Sequence, residues 1–335
     1  MNPIMCRPEN SRDRIPAWAW PLLVCPRCRK PLPGTPGEEL ICSGCGPAGK
    51  IEEGILRFAV TGKDASIEWY RDKGGARFFE RRQEPFAMSS LDAPLYHHYL
   101  AALRPRRTGA VVLDVGAGDG RNTAPWLEWG FERVIATDAV FAALARFRER
   151  IQAEHSEWLD RIVLIECDAR RLPLCDEAAA VIFAIETLYY LNEDYPLALE
   201  ECRRVLKPKG RLLLSERSWE GALLTRLFYG GVEGILSLAD GRDMWDGSGD
   251  KMVRSRCFTE PELMEMVRAH GLTPLESKGQ PLLSLVLGYL RGAGKLKAGD
   301  EELLPQVRAL LQRLGDGGRM RRTHVVVAGK SLTHG

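Results

Sequence analysis

Five short apolar runs mark the middle of the chain: AVVLDV (110–115), RVIATD (133–138), RIVLIECD (161–168), AAAVIFAI (178–185) and RLLLSER (211–217). Such runs, bounded by glycine, proline or charge, suit strands of a parallel sheet buried on both faces. Helical stretches separate them, among them FAALARFRERI (141–151) and YPLALEECRRVLKPKG (195–210), the second stopped by Lys207-Pro208-Lys209-Gly210. FTEPELMEMVRAHGL (258–272) opens with Thr259 and Glu262 at capping-box spacing. Strand alternating with helix predicts an α/β fold with helices on both faces of the sheet.

A length of 335 residues and an apolar content of 45% allow a large core plus a smaller module. Lys and Arg total 47 against 45 Asp and Glu, a net charge of +2, so no global charge draws the chain to nucleic acid or membrane. Basic clusters, such as Arg104, Arg106 and Arg107, mostly have acids close by and read as solvated surface, with an RNA-facing patch as the alternative. No uncharged run reaches the ~18–20 apolar residues of a membrane span. MNPIMCRPENSRDR lacks the apolar core of a secretory signal. The nine cysteines are an odd set, five of them scattered singly, which suits a reducing cytoplasm.

The other four lie in CPRCRKPLPGTPGEELICSGC (25–45). Cys25 with Cys28, and Cys42 with Cys45, form two CxxC turns a hairpin apart. Each turn aims two sulfurs at one point, and two turns complete the closed tetrahedron of structural zinc. Redox CxxC motifs come singly, beside a βαβ unit. The metal is expected to supply the folding energy of a segment too small to fold alone. Strand-like IEEGILRF (51–58) would close this ribbon.

VVLDVGAGDGR (111–121) poses the central question, since strand, glycine loop and helix occur in phosphate-binding and other sites alike. A triphosphate loop requires GxxxxGK[ST], and no Lys-Ser/Thr follows here. The dinucleotide pattern GxGxxG requires a small third residue, and counting from Gly116 that position is Arg121. Asp114 and Asp119 would repel a pyrophosphate at the helix start. A cofactor with a sulfonium, an ammonium and no phosphate reverses the sign of that effect: S-adenosylmethionine. Asp114 would meet the ammonium directly or through water, and Gly116, Gly118 and Gly120 would let the backbone approach closely. Asp138, about 20 residues past the loop, is placed for the ribose hydroxyls, with Ala139 beside it.

D-x-G-x-G-x-G at 114–120 resembles motif I of the class I S-adenosylmethionine-dependent methyltransferases, and RVLKPKGRLLLSE (204–216) is also typical of that family, of the type 11 kind. The resemblance implies a Rossmann-like seven-stranded sheet with helices on both faces, whose last strand, THVVVAGK (323–330), is antiparallel. It implies that Asp168 faces the adenine amino group, with Ala169 beside it. The cysteine segment resembles the small zinc-ribbon activators of tRNA and release-factor methyltransferases, and the zinc module of large-subunit rRNA guanine methyltransferases.

The expected organisation is a disordered 1–19, a zinc ribbon over 20–60, a helical linker or cap over 61–104, and a methyltransferase domain over 105–335 with an insertion at 218–256. The leading reading is methyl transfer to a small molecule or an RNA, with no membrane partner. Its alternatives are an rRNA guanine methyltransferase and a non-catalytic cofactor-binding scaffold whose ribbon docks a protein. Glu186 and Tyr190, at the exit of the fourth strand, are the candidates for catalysis. Glu186 is also read as a contact for the methionine end of the cofactor. Of the Tyr96, His97, His98 and Tyr99 group, at most one side chain would act as a base, and packing is the expected role.

Overall fold

A computed structural model describes residues 14–34, 38–60, 67–68, 88–236, 241–248, 251–297, 299–317 and 321–331. Its strands are β1 (Glu39–Cys42), β2 (Gly46–Glu52), β3 (Ile55–Phe58), β4 (Val112–Val115), β5 (Val134–Asp138), β6 (Ile162–Glu166), β7 (Ala179–Ile185), β8 (Leu206–Arg217), β9 (Asp243–Ser248), β10 (Lys251–Arg256), β11 (Thr273–Pro281) and β12 (Arg321–Gly329). The helices are α1 (Met88–Ala102), α2 (Ala124–Glu128), α3 (Phe141–Glu154), α4 (Tyr195–Val205), α5 (Trp219–Leu236), α6 (Glu260–Ala269), α7 (Leu282–Gly292) and α8 (Leu304–Gly317).

One ten-stranded sheet runs β1-β2-β3-β6-β5-β4-β7-β8-β12-β11. Its core is the expected seven-stranded Rossmann-like unit: β6, β5, β4, β7 and β8 are parallel, and β12 enters antiparallel between β8 and β11. Every residue of β4 and β6 is buried, as continuous apolar runs covered on both faces require. Strand order reverses beside β4, so the loops after β4 and β7 diverge and leave a crevice at their C-terminal ends. Thr259 and Glu262 form the capping box of α6. α4 ends at Val205, ahead of the Lys207-Pro208-Lys209-Gly210 stop, which lies in β8; there Lys209 takes a left-handed φ of 62° and its amide bonds the Lys330 carbonyl at 2.9 Å.

The ribbon hairpins continue this sheet. β3 pairs in parallel with β6, Leu56 opposite Ile165 and Arg57 opposite Glu166. Arg57 Nε donates to Glu166 Oε2 at 2.5 Å. Leu23, Leu32, Leu40, Leu56 and Phe58 pack in the same core as Val163, Ile165, Leu172 and Leu174 of the sheet domain. Sequence placed residues 14–19 in a disordered leader. The structure corrects this, because Ile15 and Ala19 are buried in that shared core and the Trp18 indole donates to the Asp160 carbonyl at 3.0 Å.

Of the proposed 61–104 linker, α1 is described and 61–66 and 69–87 lie outside the described residues. The 218–256 insertion comprises α5 and the β9–β10 hairpin, and the 281–320 stretch supplies α7 and α8, which pack with α1 around Leu91 and Leu311. Among the described residues no helix is long and apolar enough to cross a membrane.

The shared core predicts that the ribbon and sheet unfold as one cooperative unit. Leu56→Ala is expected to lower the unfolding free energy by about 2–5 kcal/mol, within a single denaturant transition followed by circular dichroism and tryptophan fluorescence. A separate early transition would show a ribbon that folds by itself.

Candidate functional site

A cleft opens at the C-terminal ends of β4, β5, β6 and β7, lined by Val115, the glycine loop, Asp138–Val140, Cys167–Ala169 and Ile185–Thr187. Tyr189, Tyr190 and Leu191 form a further wall. Of the residues singled out by sequence, Gly116, Gly118, Asp138, Ala139, Asp168, Ala169, Glu186 and Tyr190 all face this space. Asp114 and Gly120 stand behind it.

The loop passes tightly between its neighbours. Gly116, Gly118 and Gly120 have φ values of 82°, 56° and 81°, left-handed conformations that glycine alone adopts without strain. A Cβ on Gly116 would overlap Thr187, and one on Gly120 would overlap the Phe147 ring on α3. Gly118 meets nothing within 4 Å, leaving its backbone open to the cleft. The Gly116 and Ala117 amides donate to the Thr137 carbonyl at 2.8 and 2.9 Å, pinning the loop to β5.

Asp138 holds the other side of the loop. Its Oδ2 accepts the Gly118 amide and its Oδ1 the Val140 amide, each at 2.8 Å. Burial pushes its pKa up and these amides pull it down, the net direction being upward. Asp114 lies beneath the loop, 2% exposed, with Oδ2 accepting from the Thr123 hydroxyl at 2.6 Å. Burial pushes its pKa up to about 8 against the pull of that hydrogen bond. Asp168 is already engaged: its carboxylate accepts from the Arg170 amide at 2.9 Å and from the Arg170 guanidinium at 2.7–3.0 Å.

Glu186 has a left-handed φ of 53° and projects from the end of β7. Its Oε1 accepts from Arg322 Nη2 at 2.5 Å and from the Tyr96 hydroxyl at 3.2 Å. Arg322, on β12, also pairs with Asp92 of α1 at 2.5 Å, and Tyr96 lies 2.6 Å from the Ser215 hydroxyl. This buried network was not read from sequence, and its members come from four separate elements. Burial pushes the Asp92 pKa up to about 6, opposed by Arg322. Of the other rings in that sequence group, Tyr99 is buried and donates to the Gly279 carbonyl, and His97 contacts the Arg121 carbonyl, so both pack. Tyr189 and Tyr190 stack obliquely with centroids 4.5 Å apart, and Arg217 lies over the Tyr189 ring at 4.8 Å.

Cys25, Cys28, Cys42 and Cys45 bring four sulfurs within 4.8 Å of one another, with separations of 3.1–3.7 Å along four edges. A tetrahedron with zinc–sulfur bonds of about 2.3 Å has edges of roughly 3.75 Å, so this donor set fits a closed zinc site. No carboxylate or imidazole belongs to the cluster.

Residues 113–214 match the family model described as "Methyltransferase domain". Malonyl-(acyl-carrier protein) O-methyltransferase of Xylella fastidiosa (strain M23) is 39% identical over 118 residues, 35% of this chain and 37% of that protein. 27-O-demethylrifamycin SV methyltransferase of Amycolatopsis mediterranei (strain S699) is 28% identical over 122 residues, 35% of this chain and 42% of its own length. The chain thus spans well under half the length of either relative. Phosphoethanolamine N-methyltransferase 2 of Haemonchus contortus, solved in complex with S-adenosyl-L-methionine, shares the fold with a TM-score of 0.50 at 17% identity, over 81% of this chain and 58% of that one. Residues 113–214 thus resemble a methyltransferase domain, and the sheet that carries them has a Rossmann-like fold.

The loop geometry separates two glycines that look alike in sequence. Gly118→Ala should cost about 1–2 kcal/mol of stability, the left-handed strain alone. Gly120→Ala should cost a further ~1–3 kcal/mol for displacing the Phe147 ring. Urea unfolding of both variants tests the order, and equal losses would mean that the ring yields freely.

Proposed function

We propose that the protein is an S-adenosylmethionine-dependent methyltransferase acting on a small molecule, with a structural zinc ion held by Cys25, Cys28, Cys42 and Cys45. The observation that carries this reading is the pairing of an open Gly118 backbone with carboxylates at the top of the sheet, which favours a cationic cofactor over a phosphate. The family match over 113–214 supports the reaction class.

Bound there, S-adenosylmethionine supplies a methyl group on a positively charged sulfur, open to in-line attack. The chain's own contribution is binding, orientation and exclusion of water. Asp138 is assigned to the ribose hydroxyls. It has lone pairs to spare after holding the Gly118 and Val140 amides. Asp114, under the loop, is assigned to the α-ammonium directly or through water, and Glu186 to the same end of the cofactor from the cleft wall. Ala139, Asp168 and Ala169 flank the adenine end, where the hold of Arg170 on Asp168 leaves less acceptor capacity for an amino group. Glu186 already accepts from Arg322 and from the Tyr96 hydroxyl through Oε1, which fixes it as a hydrogen-bond acceptor in the cleft wall. Its role is to bind, and the acceptor must arrive as a ready nucleophile or lose its proton elsewhere.

Ile185, Tyr189, Tyr190 and Leu191 offer an apolar and aromatic wall that suits a small acceptor. Asn192 Nδ2 bonds the Arg254 carbonyl and Arg254 pairs with Glu193, so the β9–β10 hairpin docks beside this wall. Release of S-adenosylhomocysteine across a panel of amines, carboxylates, hydroxyl compounds and RNA tests the reading. Turnover is expected with a small molecule; turnover confined to RNA would overturn the choice of acceptor.

Cofactor binding should be linked to pH through Asp114. Burial raises its pKa to about 8, so near neutrality the carboxyl is largely protonated. A cation stabilises the ionised form, so binding expels a proton below pH 8. Affinity for S-adenosylhomocysteine, whose α-ammonium persists at these pH values, should therefore rise from pH 6 to 8 and then flatten. Titration calorimetry in buffers of different ionisation enthalpy should show that proton release, and Asp114→Asn should abolish it. A pH-independent affinity in the parent protein would remove Asp114 from the ammonium site.

A further inference from the structure

The ribbon reaches the sheet domain at one loop in particular, the 168–175 segment between β6 and β7, whose first two residues line the adenine end of the cleft. The grip has two parts. Leu23 forms an antiparallel bridge with Leu174, flanked by Val24 N to Pro173 O at 3.0 Å and Cys175 N to Leu22 O at 2.8 Å. Beyond it, Arg29 and Glu201 of α4 enclose the Leu172 peptide. Arg29 Nη1 donates to the Leu172 carbonyl at 2.7 Å and Arg29 Nη2 to Glu201 Oε1 at 2.8 Å. Glu201 Oε2 accepts the Leu172 amide at 2.9 Å, which closes the ring. Arg204 holds Glu201 from the other side at 2.8 Å and also donates to the Leu174 carbonyl at 2.7 Å and the Leu172 carbonyl at 3.2 Å, so Arg29 is the ribbon's share of a grip that α4 completes.

Arg29 owes its position to the first cysteine turn. It directly follows Cys28, takes a left-handed φ of 62°, and its amide donates to the Cys25 carbonyl at 2.9 Å. A side chain leaving the turn at that residue points away from the sulfurs and into the sheet domain. From there the bonds run through Leu172 back to Asp168, where Arg171 N donates to the Asp168 carbonyl at 2.9 Å.

We propose that Arg29 is a positioning residue for the cofactor: the ribbon, through Arg29, fixes the 168–175 loop and with it the wall that Asp168 and Ala169 present to the adenosyl group. This rests on the reading of the cleft as an adenosylmethionine site. A planar guanidinium suits the task because it bonds a carbonyl and a carboxylate together in a fixed fork. The ribbon then does more than fold beside the sheet, since its cysteine turn sets one wall of the binding site.

The test uses the full-length, metal-loaded protein and Arg29→Met, which keeps an unbranched apolar stem without the guanidinium donors. Metal content and melting temperature are measured first, then binding of S-adenosylhomocysteine by calorimetry and amide exchange by mass spectrometry. The expected result is retained metal, roughly tenfold weaker binding, matching the ~1.4 kcal/mol scale of such a hydrogen bond, and faster exchange confined to residues 168–175. Should Arg29→Met fail to fold, Arg29→Lys, which keeps the charge but loses the fork, carries the same test with a smaller loss. Unchanged affinity and unchanged exchange in a folded variant would overturn the proposal. No binding by the parent protein would instead overturn the cofactor reading on which it rests.

Discussion

The backbone of residues 116–120 can pass between β5, Thr187 and Phe147 only because three glycines take left-handed φ and two of them have no room for a Cβ. That close passage decides what the crest of the sheet can bind. It places the Gly118 amide on Asp138, buries Asp114 beneath the turn and leaves a notch whose charged lining is Asp119, Asp138, Asp168 and Glu186 together with Arg121 and Arg146. Phosphate-binding loops use the same strand, turn and helix to collect amides around negative charge. Here the amide at the centre of the turn is spent on a carboxylate of the protein itself, so the notch suits a positive ligand end.

The second level of organisation is the joining of a metal-type ribbon to the sheet edge. Parallel pairing of β3 with β6 and a common core give the ribbon a mechanical connection to the cleft that a tethered module would lack. On the opposite side of the cleft, Arg322 and Tyr96 carry the packing of α1 and β12 to Glu186. The two walls of the notch are thus braced from parts of the chain far from motif I in sequence, one from the N-terminal ribbon and one from the final strand.

Sequence patterns carried the local features well. The buried strands, the glycine turn and the Thr259–Glu262 cap each depend on neighbours a few residues away, and the paired cysteines meet as their spacing implied. Long-range features were not legible. Nothing in IEEGILRF announces a partner strand more than a hundred residues later, the charges of Arg322 and Asp92 look like ordinary surface until the fold buries them, and that of Arg29 does so until the fold pairs it with Glu201. The sequence assigned a ligand contact to each acid at the strand ends but did not show how differently they are held. Asp114 is covered because Thr123 turns back to it, and Asp168 is engaged because Arg170 curls onto it. Those contacts depend on side-chain direction in turns, which composition and periodicity do not encode. The engaged Lys209 shows the same limit in the backbone, since the Lys330 carbonyl that accepts its amide comes from the far end of the chain.

The most direct measurement is a set of calorimetric titrations of the intact protein with S-adenosylhomocysteine, NAD⁺ and ATP under one buffer condition. A notch built for a positive end should take up S-adenosylhomocysteine with one-to-one saturation and give no heat of binding with either phosphate ligand. Saturable uptake of NAD⁺ or ATP, with none of the thioether nucleoside, would contradict the assignment of charge at the centre of the site.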